Sequence, residues 1–436
     1  MRIIFVENQY KTYFFEAIAS KLKEEGHEIF WIIQNKLFAP KGDFKKFIIP
    51  YPQEKEYLKI DDVDIDNIIY SDRNINYFGK ENKSYFYYYN EQIKELIYKI
   101  KPDIAFGEST LFHELLTGKY CKELGVNYLN PLPCRYPTGK FSFYLYDTLT
   151  PFKGCDENLP KDEVLLIIDN IINRKISPDY MKPIQITKAE KLANKLKKIK
   201  GFYVGDKYNT PSPFAKLKIE NKKNKSKTLW DTLATTEIKH SNKFKILYPL
   251  QVQPEENIDV WGRKRRDQLA VIQQIERNLP EDTVLYVKPN PKPKYEVDNK
   301  MIDFVSSSKK ISMVHHSVSM TEIFNEFDLI ITVTGTVAIE SILSNKPVVN
   351  LIETLNNTVK NCVYLENLKE LPQIIEKVKN NTFPKASEQD KIDFINLLNK
   401  TSYFGNVSDV LSDKNCIDED NIVLITKAFN DILKEI

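Results

Sequence analysis

Along the chain, short apolar runs alternate with stretches whose apolar residues recur every three or four positions. That is the pattern of strands exchanging with amphipathic helices. Residues 3–6 read as a first strand. Phe14, Phe15, Ile18, Ala19 and Leu22 mark one face of a helix over 13–25, closed by Gly26, and 28–33 is the next strand. A helix over 85–100, a strand at 103–106, a helix over 111–124 ended by Gly125 and a short strand at 126–129 follow. Residues 130–160 hold several prolines and an aromatic run over 141–146, and two helices are expected over 161–200. From Phe244 the alternation restarts. Strands at 246–250, 283–287, 311–314, 329–333 and 347–351 exchange with helices at 265–278, 320–326 and 336–344. Strands alternating with helices imply parallel sheets joined by right-handed crossovers. The expected fold is therefore α/β, with two Rossmann-like domains. An N-terminal domain with a helical insertion spans 1–215, and a polar, basic connection spans 216–243. A C-terminal domain spans 244–436, its last helix, 421–436, free to pack back on the first domain.

Composition narrows the chemistry. Gly, at 13 of 436 residues, is scarce, and no GxGxxG or Walker pattern appears, so a glycine-rich phosphate loop is not expected. Lys+Arg exceed Asp+Glu by 63 − 60 = 3. With no recognisable module beside that balance, nucleic acid is not an expected partner. The five cysteines are scattered and unpaired in spacing, as reduced thiols of a cytoplasmic protein would be. The apolar start is short and interrupted by Glu7, unlike a signal peptide. The basic stretches 191–200 and 216–227 suit either a solvated lysine-rich surface or peripheral contact with an anionic membrane.

Several polar groups stand where strands end, the position at which open α/β sheets bind ligands. After strand 329–333 come Thr334, Gly335 and Thr336, with Glu340 one helical turn on, on the same helix side as Thr336. A turn into a helix N-terminus suits phosphate, and Glu340 suits ribose hydroxyls. The plain alternative is a Thr cap with a solvated Glu340. The loop after strand 246–250 carries Gln251, Gln253 and Glu255, with Pro249 and Pro254 restricting its backbone. Lys288 ends the next strand, in Lys288-Pro289-Asn290-Pro291, and suits phosphate as a point charge. His315 and His316 suggest a metal, but neighbours in sequence rarely point the same way and no third ligand is spaced to help, so no metal is expected. Ser317 and Ser319 suit either phosphate or the cap of the following helix. In the N-terminal domain, Glu108 and Glu7 each end a strand, and a carboxylate among aromatics can act as acid, base or nucleophile. Asp147 is the reserve catalytic carboxylate, and Arg135 could clamp an acidic sugar. The plain readings are a helix cap for Glu108, a turn for Asp147 and a structural ion pair for Arg135.

The segments YPLQVQPE, LYVKPNPK and ITVTGTVAIESILSNKPVV resemble the bacterial capsular and surface polysaccharide biosynthesis proteins. That group includes the retaining β-Kdo transferases, which use CMP-activated ulosonic acids. The resemblance spans roughly 244–352, and more loosely FGES and CRYPTGKFSFY in the first domain. Where relatives carry Lys-x-His-Pro, this chain has Asn290 in the histidine's place. The resemblance implies a GT-B glycosyltransferase with its site in the cleft between the domains. Lys288, Asn290, Ser317, Ser319, Thr334, Gly335, Thr336 and Glu340 would hold the nucleotide, with Gln253, Glu255 and Arg135 on the sugars and Glu108, Asp147 and Glu7 as catalytic carboxylates. The implied donor is CMP-Kdo or another CMP-nonulosonate, with no further cofactor and no metal. The acceptor is a surface glycan, free or lipid-linked. Rival readings are a UDP-sugar transferase or sugar-nucleotide epimerase of the same fold, and a non-catalytic capsule-assembly protein.

Overall fold

The computed structural model describes residues 1–52, 57–79, 82–181, 186–238 and 242–436. Within these the chain forms two compact units. Unit 1 comprises Met1–Asn158, Ser177–Lys216 and Asn399–Ile436, and unit 2 comprises Leu159–Ile176 and Leu217–Leu398.

Unit 1 is built on a seven-stranded sheet. Its strands are β1 (Arg2–Val6), β2 (Glu28–Ile33), β3 (Lys45–Ile48), β4 (Ile104–Phe106), β5 (Asn127–Pro133) and β6 (Lys140–Leu145). Unit 2 carries β7 (Phe244–Pro249), β8 (Thr283–Lys288), β9 (Ile311–Met313), β10 (Leu329–Thr332), β11 (Val348–Asn350) and β12 (Cys362–Tyr364), and the two-residue β13 (Tyr403–Phe404) returns to unit 1. The spatial orders are β13-β6-β5-β4-β1-β2-β3 and β12-β11-β10-β7-β8-β9. The first sheet is parallel from β3 through β5 and turns antiparallel at β6 and β13. The second is parallel throughout. The expected pair of α/β, Rossmann-like units forms, with sheets of mostly parallel strands.

Strand order reverses between β1 and β4 in unit 1 and between β7 and β10 in unit 2. These are the places where an open α/β sheet leaves a crevice beyond its carboxyl ends.

Three expectations change. The connection placed at 216–243 is helical over much of its length, inside helix Pro213–Leu233. No Gly or Pro interrupts 214–233, lysine is a good helix former, and Trp230 buries itself completely. Residues 239–241 of that connection lie outside the described ones. The helical insertion splits: helix Lys161–Ile172 belongs to unit 2, and helix Lys188–Gly201 to unit 1. The aromatic run after the prolines is strand β6, hairpin-paired with β5.

The last helix, Glu419–Leu433, joins unit 1. Phe429 is fully buried, its ring 4.5 Å from that of Phe106 and 4.9 Å from that of Phe143. Such contacts are worth about 0.5–1.5 kcal/mol each beyond the area they bury. Gly154 lies so close to the backbone of Lys400–Ser402 that an added Cβ would come within 2.1 Å of the Lys400 carbonyl oxygen. Among the described residues no helix is long and apolar enough to cross a membrane.

Candidate functional site

In unit 2 the reversal point is occupied by the two loops singled out from the sequence. Thr334 to Thr336 leave β10, and Gln251 leaves β7. The Gly335 N–H donates to Thr332 Oγ1 at 3.1 Å, and a Cβ on Gly335 would meet that oxygen at 2.7 Å. Glycine is therefore required by close approach here. The Gln251 amide satisfies its neighbours when its oxygen faces Thr334 N–H (2.7 Å) and Gly335 N–H (3.1 Å) and its nitrogen donates to Thr334 Oγ1 (2.8 Å). Two of the amides expected to face phosphate thus already have acceptors. Gln251, read from the sequence only as one polar group of its loop, is the side chain that provides for them. The following helix, Val337–Leu343, is short, and its Ala338 and Ile339 N–H groups turn to the carbonyls of Gly335 and Thr336.

Glu340, expected at ribose hydroxyls, pairs with Arg174 at 2.8 Å, both side chains largely buried. Arg174 follows helix Lys161–Ile172 in the left-handed backbone region (φ 53°) and lays its guanidinium over the Phe324 ring, 4.7 Å from the centroid. Burial raises the Glu340 carboxyl above its usual range and Arg174 opposes that shift. Nothing in the spacing could reveal this partner.

Lys288 ends β8 and is 2% exposed. Its amine donates to the carbonyls of Pro289 (3.1 Å) and His316 (3.4 Å). Burial pushes it down to about 8, and no carboxylate opposes the shift. A buried amine whose partners are all carbonyls is a receptive place for an anion. Asn290 accepts from Lys292 N–H at 2.9 Å, an Asx turn that shapes the loop.

Gln253 turns inward. Its Nε2 donates to Asp259 Oδ1 and to the Arg266 carbonyl, both at 2.9 Å, and its Oε1 accepts from Gln268. These contacts brace the loop rather than present an amide to a sugar. The Gln253-Pro254 peptide is cis. Glu255 is half exposed and pairs with Lys294 at 3.2 Å. Behind the loop is a residue the sequence did not signal. Glu296 is buried, accepts from Gln253 N–H (3.3 Å) and Lys294 N–H (2.9 Å), and keeps Oε1 without a partner. Burial pushes its carboxyl up to about 7.

Ser319 is a helix cap, accepting from Thr321 N–H at 3.1 Å within a capping box. Ser317 is exposed and sits 2.8 Å from His315 Nδ1. The histidines do have a third neighbour. Asp231 Oδ1 lies 2.8 Å from His316 Nδ1 and 3.6 Å from His315 Nε2. The expectation that no third ligand stands near them is corrected, because the fold, not the spacing, supplies it from 85 residues away.

Unit 1 gathers its own polar cluster at the β1–β4 reversal. Asn8 Nδ2 donates to Glu108 Oε2 and to Glu114 Oε1, both at 2.9 Å. Lys11, buried, stands 3.5 Å from Glu108. Glu114 is fully buried and accepts from the N–H groups of Leu111 (2.8 Å), Thr110 (3.2 Å) and Glu108 (3.2 Å). Burial raises both carboxyls. Lys11 opposes the shift at Glu108, and the backbone donors oppose it at Glu114. His113 donates from Nε2 to the Glu7 carbonyl at 2.8 Å, and burial holds it neutral, down to about 4.

Glu7 accepts from Gln9 N–H (2.7 Å) and Asn35 N–H (2.8 Å), so it ties two loops together. Arg135 lies in the β5–β6 hairpin, half-buried, beyond the carboxyl end of β5. Asp147 follows Tyr146 in the turn after β6. The Tyr146 carbonyl accepts from Ser109 Oγ at 2.7 Å, so that turn stands beside the loop that carries Glu108.

Residues 158–354 match the family model described as capsule polysaccharide biosynthesis protein. No curated protein matches the chain. Among solved structures it is similar to the KpsC β-Kdo 2,4 transferase of Thermosulfurimonas dismutans, at 11% identity and TM-score 0.37 over 70% of this chain and 81% of that one. It is similar to a glycosyltransferase of Rickettsia africae ESF-5, at 12% identity and TM-score 0.30 over 100% and 98%. It is also similar to the UDP-GlcNAc 2-epimerase of Methanocaldococcus jannaschii, at 13% and 0.28 over 91% and 98%. Likenesses this distant add no argument about activity. Across 158–354, which takes in β7 to β11 and the polar loops at their carboxyl ends, the chain is thus similar to the capsule polysaccharide biosynthesis proteins, as the three quoted segments led one to expect.

Proposed function

We propose that the protein is a glycosyltransferase of surface-polysaccharide synthesis, taking Kdo or another nonulosonic acid from its CMP-activated form. The observation that carries the reading is Lys288. Its buried amine meets only carbonyls, at the carboxyl edge of the unit whose sequence matches the capsule family. A nucleotide phosphate supplies the missing counter-charge. As the sugar leaves, Lys288 and the Asn290 amide stabilise the phosphate. A monophosphate carries less charge than a diphosphate and needs no metal to balance it. Gln251 yields the Thr334 and Gly335 amides to the donor, Thr336 adds its hydroxyl, and Glu340, fixed by Arg174, receives the ribose. Gln253 and Glu255 shape the donor loop, with Ser317 at its rim.

In the same reading unit 1 binds the acceptor glycan. Glu108 is the acid, base or nucleophile, because burial and its neighbour Glu114 raise its carboxyl while Lys11 keeps it ionisable. Arg135 meets an acidic sugar.

The test is to incubate the protein with CMP-Kdo, other CMP-nonulosonates and UDP-sugars and measure free nucleotide. Release of CMP is expected, and Glu108→Gln lowers it by about 100-fold or more without changing the melting temperature. Consumption of a UDP-sugar alone overturns the donor. No release from any donor, with no thermal shift by CMP, UDP or GDP, leaves a non-catalytic assembly protein.

A further inference from the structure

Helix Pro213–Leu233 ends against the segment leaving β9. Trp230 is buried and its Nε1 donates to the Val314 carbonyl at 2.9 Å. Thr235 N–H donates to the Met313 carbonyl at 2.8 Å, and His315 N–H returns a bond to the Thr235 carbonyl at 2.9 Å. Backbone on both sides therefore holds Asp231 next to His315 and His316. The imidazoles lie together, ring centroids 4.7 Å apart and planes at 40°. One donor atom from each of the three residues falls within 4.8 Å of the other two. All three side chains are partly open, between 16 and 23% exposed, so an ion can enter from solvent.

We propose that Asp231, His315 and His316 form a site for a divalent transition-metal ion, zinc by its ligand set, which fastens the end of helix Pro213–Leu233 to the segment leaving β9. Two imidazoles and a carboxylate are ligands zinc takes readily, with a fourth position left to water. Tetrahedral zinc with bonds near 2.0–2.1 Å sets its ligand atoms about 3.3 Å apart. The observed 2.8 and 3.6 Å straddle that value, and the third pair of ligand atoms lies within 4.8 Å. The ion replaces the proton now shared by His316 and Asp231. His315 Nδ1 accepts from Ser317 N–H at 3.2 Å and lies 2.8 Å from Ser317 Oγ. With the ion on Nε2 the imidazole proton moves to Nδ1, where Ser317 Oγ accepts it, the outer-shell arrangement that metal-binding histidines use. Lys288 donates to the His316 carbonyl at 3.4 Å. Burial already weakens its charge.

The role is structural and separate from the donor phosphate. The whole chain is stripped with a chelator, desalted and titrated with Zn²⁺ alone, following calorimetry and melting temperature. One zinc per chain and a higher melting temperature are expected. His315→Ala and Asp231→Asn each weaken binding by at least about tenfold. Cobalt added to the unaltered chain gives the strong visible absorption of a four-coordinate site, which reads the ligand set even where a variant folds poorly. Absence of zinc binding to the stripped chain overturns the proposal. So does binding that both variants retain, or a weak six-coordinate cobalt spectrum.

Discussion

Two single residues in unit 2 make pH a useful probe. Lys288 is pushed down to about 8 by burial, so its amine is charged below pH 8 and neutral above it. An anion bound there favours the charged form. Nucleotide affinity is therefore expected to hold between pH 6 and 7.5 and to fall about tenfold per unit above 8. Lys288→Met should weaken binding about tenfold or more at pH 7 and erase that slope, which calorimetric titration across pH would show. Glu296 behaves in the opposite sense. Its folded value of about 7 lies above the ordinary 4.5, so the native chain holds a proton that the unfolded chain has released. Its contribution to stability is full below pH 4.5 and is lost as pH rises through 7. Glu296→Gln should remove that loss, on the order of 2 kcal/mol between pH 5 and 8, measurable by denaturant unfolding at each pH. These residues differ in how they show in sequence. Lys288 ends an apolar strand and was legible as a strand-end cation. Glu296 lies in a polar loop where nothing announces that its carboxylate is enclosed.

Elements decide which partners meet. Helix Lys161–Ile172 packs on helix Val337–Leu343 and thereby delivers Arg174 to Glu340. Glu340→Ala strands the Arg174 guanidinium against Phe324 and is expected to cost about 1–3 kcal/mol, along with severalfold weaker nucleotide binding. Adding Arg174→Met should recover much of the stability and none of the binding. A double-mutant cycle on both readouts separates the two roles, and unchanged nucleotide affinity in Glu340→Ala would remove that carboxylate from the site. The long elements were readable because their periodicity is strong: helices Lys11–Glu24, Ser84–Ile100 and Gln268–Arg277 fall close to where their apolar spacing puts them. Phe141 and Phe143 of β6 point inward, but the prolines around this strand mask its alternation in sequence. β12 and β13, three and two residues long, carry too little pattern to register. Glu114 accepts from Leu111 N–H at the helix start, half of a capping box, but Leu111 lacks the hydroxyl that would have announced it in sequence. Nor did anything announce its five bonds from Asn8, Glu108, Thr110 and Leu111.

At the scale of the whole molecule, neither unit is a continuous stretch of chain. The boundaries fall at Asn158/Leu159, Ile176/Ser177, Lys216/Leu217 and Leu398/Asn399. A fragment cut at 244–436, the domain expected from sequence, lacks helices Lys161–Ile172 and Pro213–Leu233 and carries the unit 1 helix Glu419–Leu433 with nothing to cover. It is expected to expose apolar surface and to exchange its amides rapidly, whereas the full chain protects β7 to β11, a contrast that hydrogen exchange would read. Alternation of strand and helix revealed two sheets, but it could not reveal that the chain would lend one helix forward and take another back. The late return of Glu419–Leu433 to the Phe106 and Phe143 face has a consequence during synthesis. Until those residues leave the ribosome, the six strands β1 to β6 stand with part of their aromatic face bare, and a nascent chain in that state is prone to aggregate.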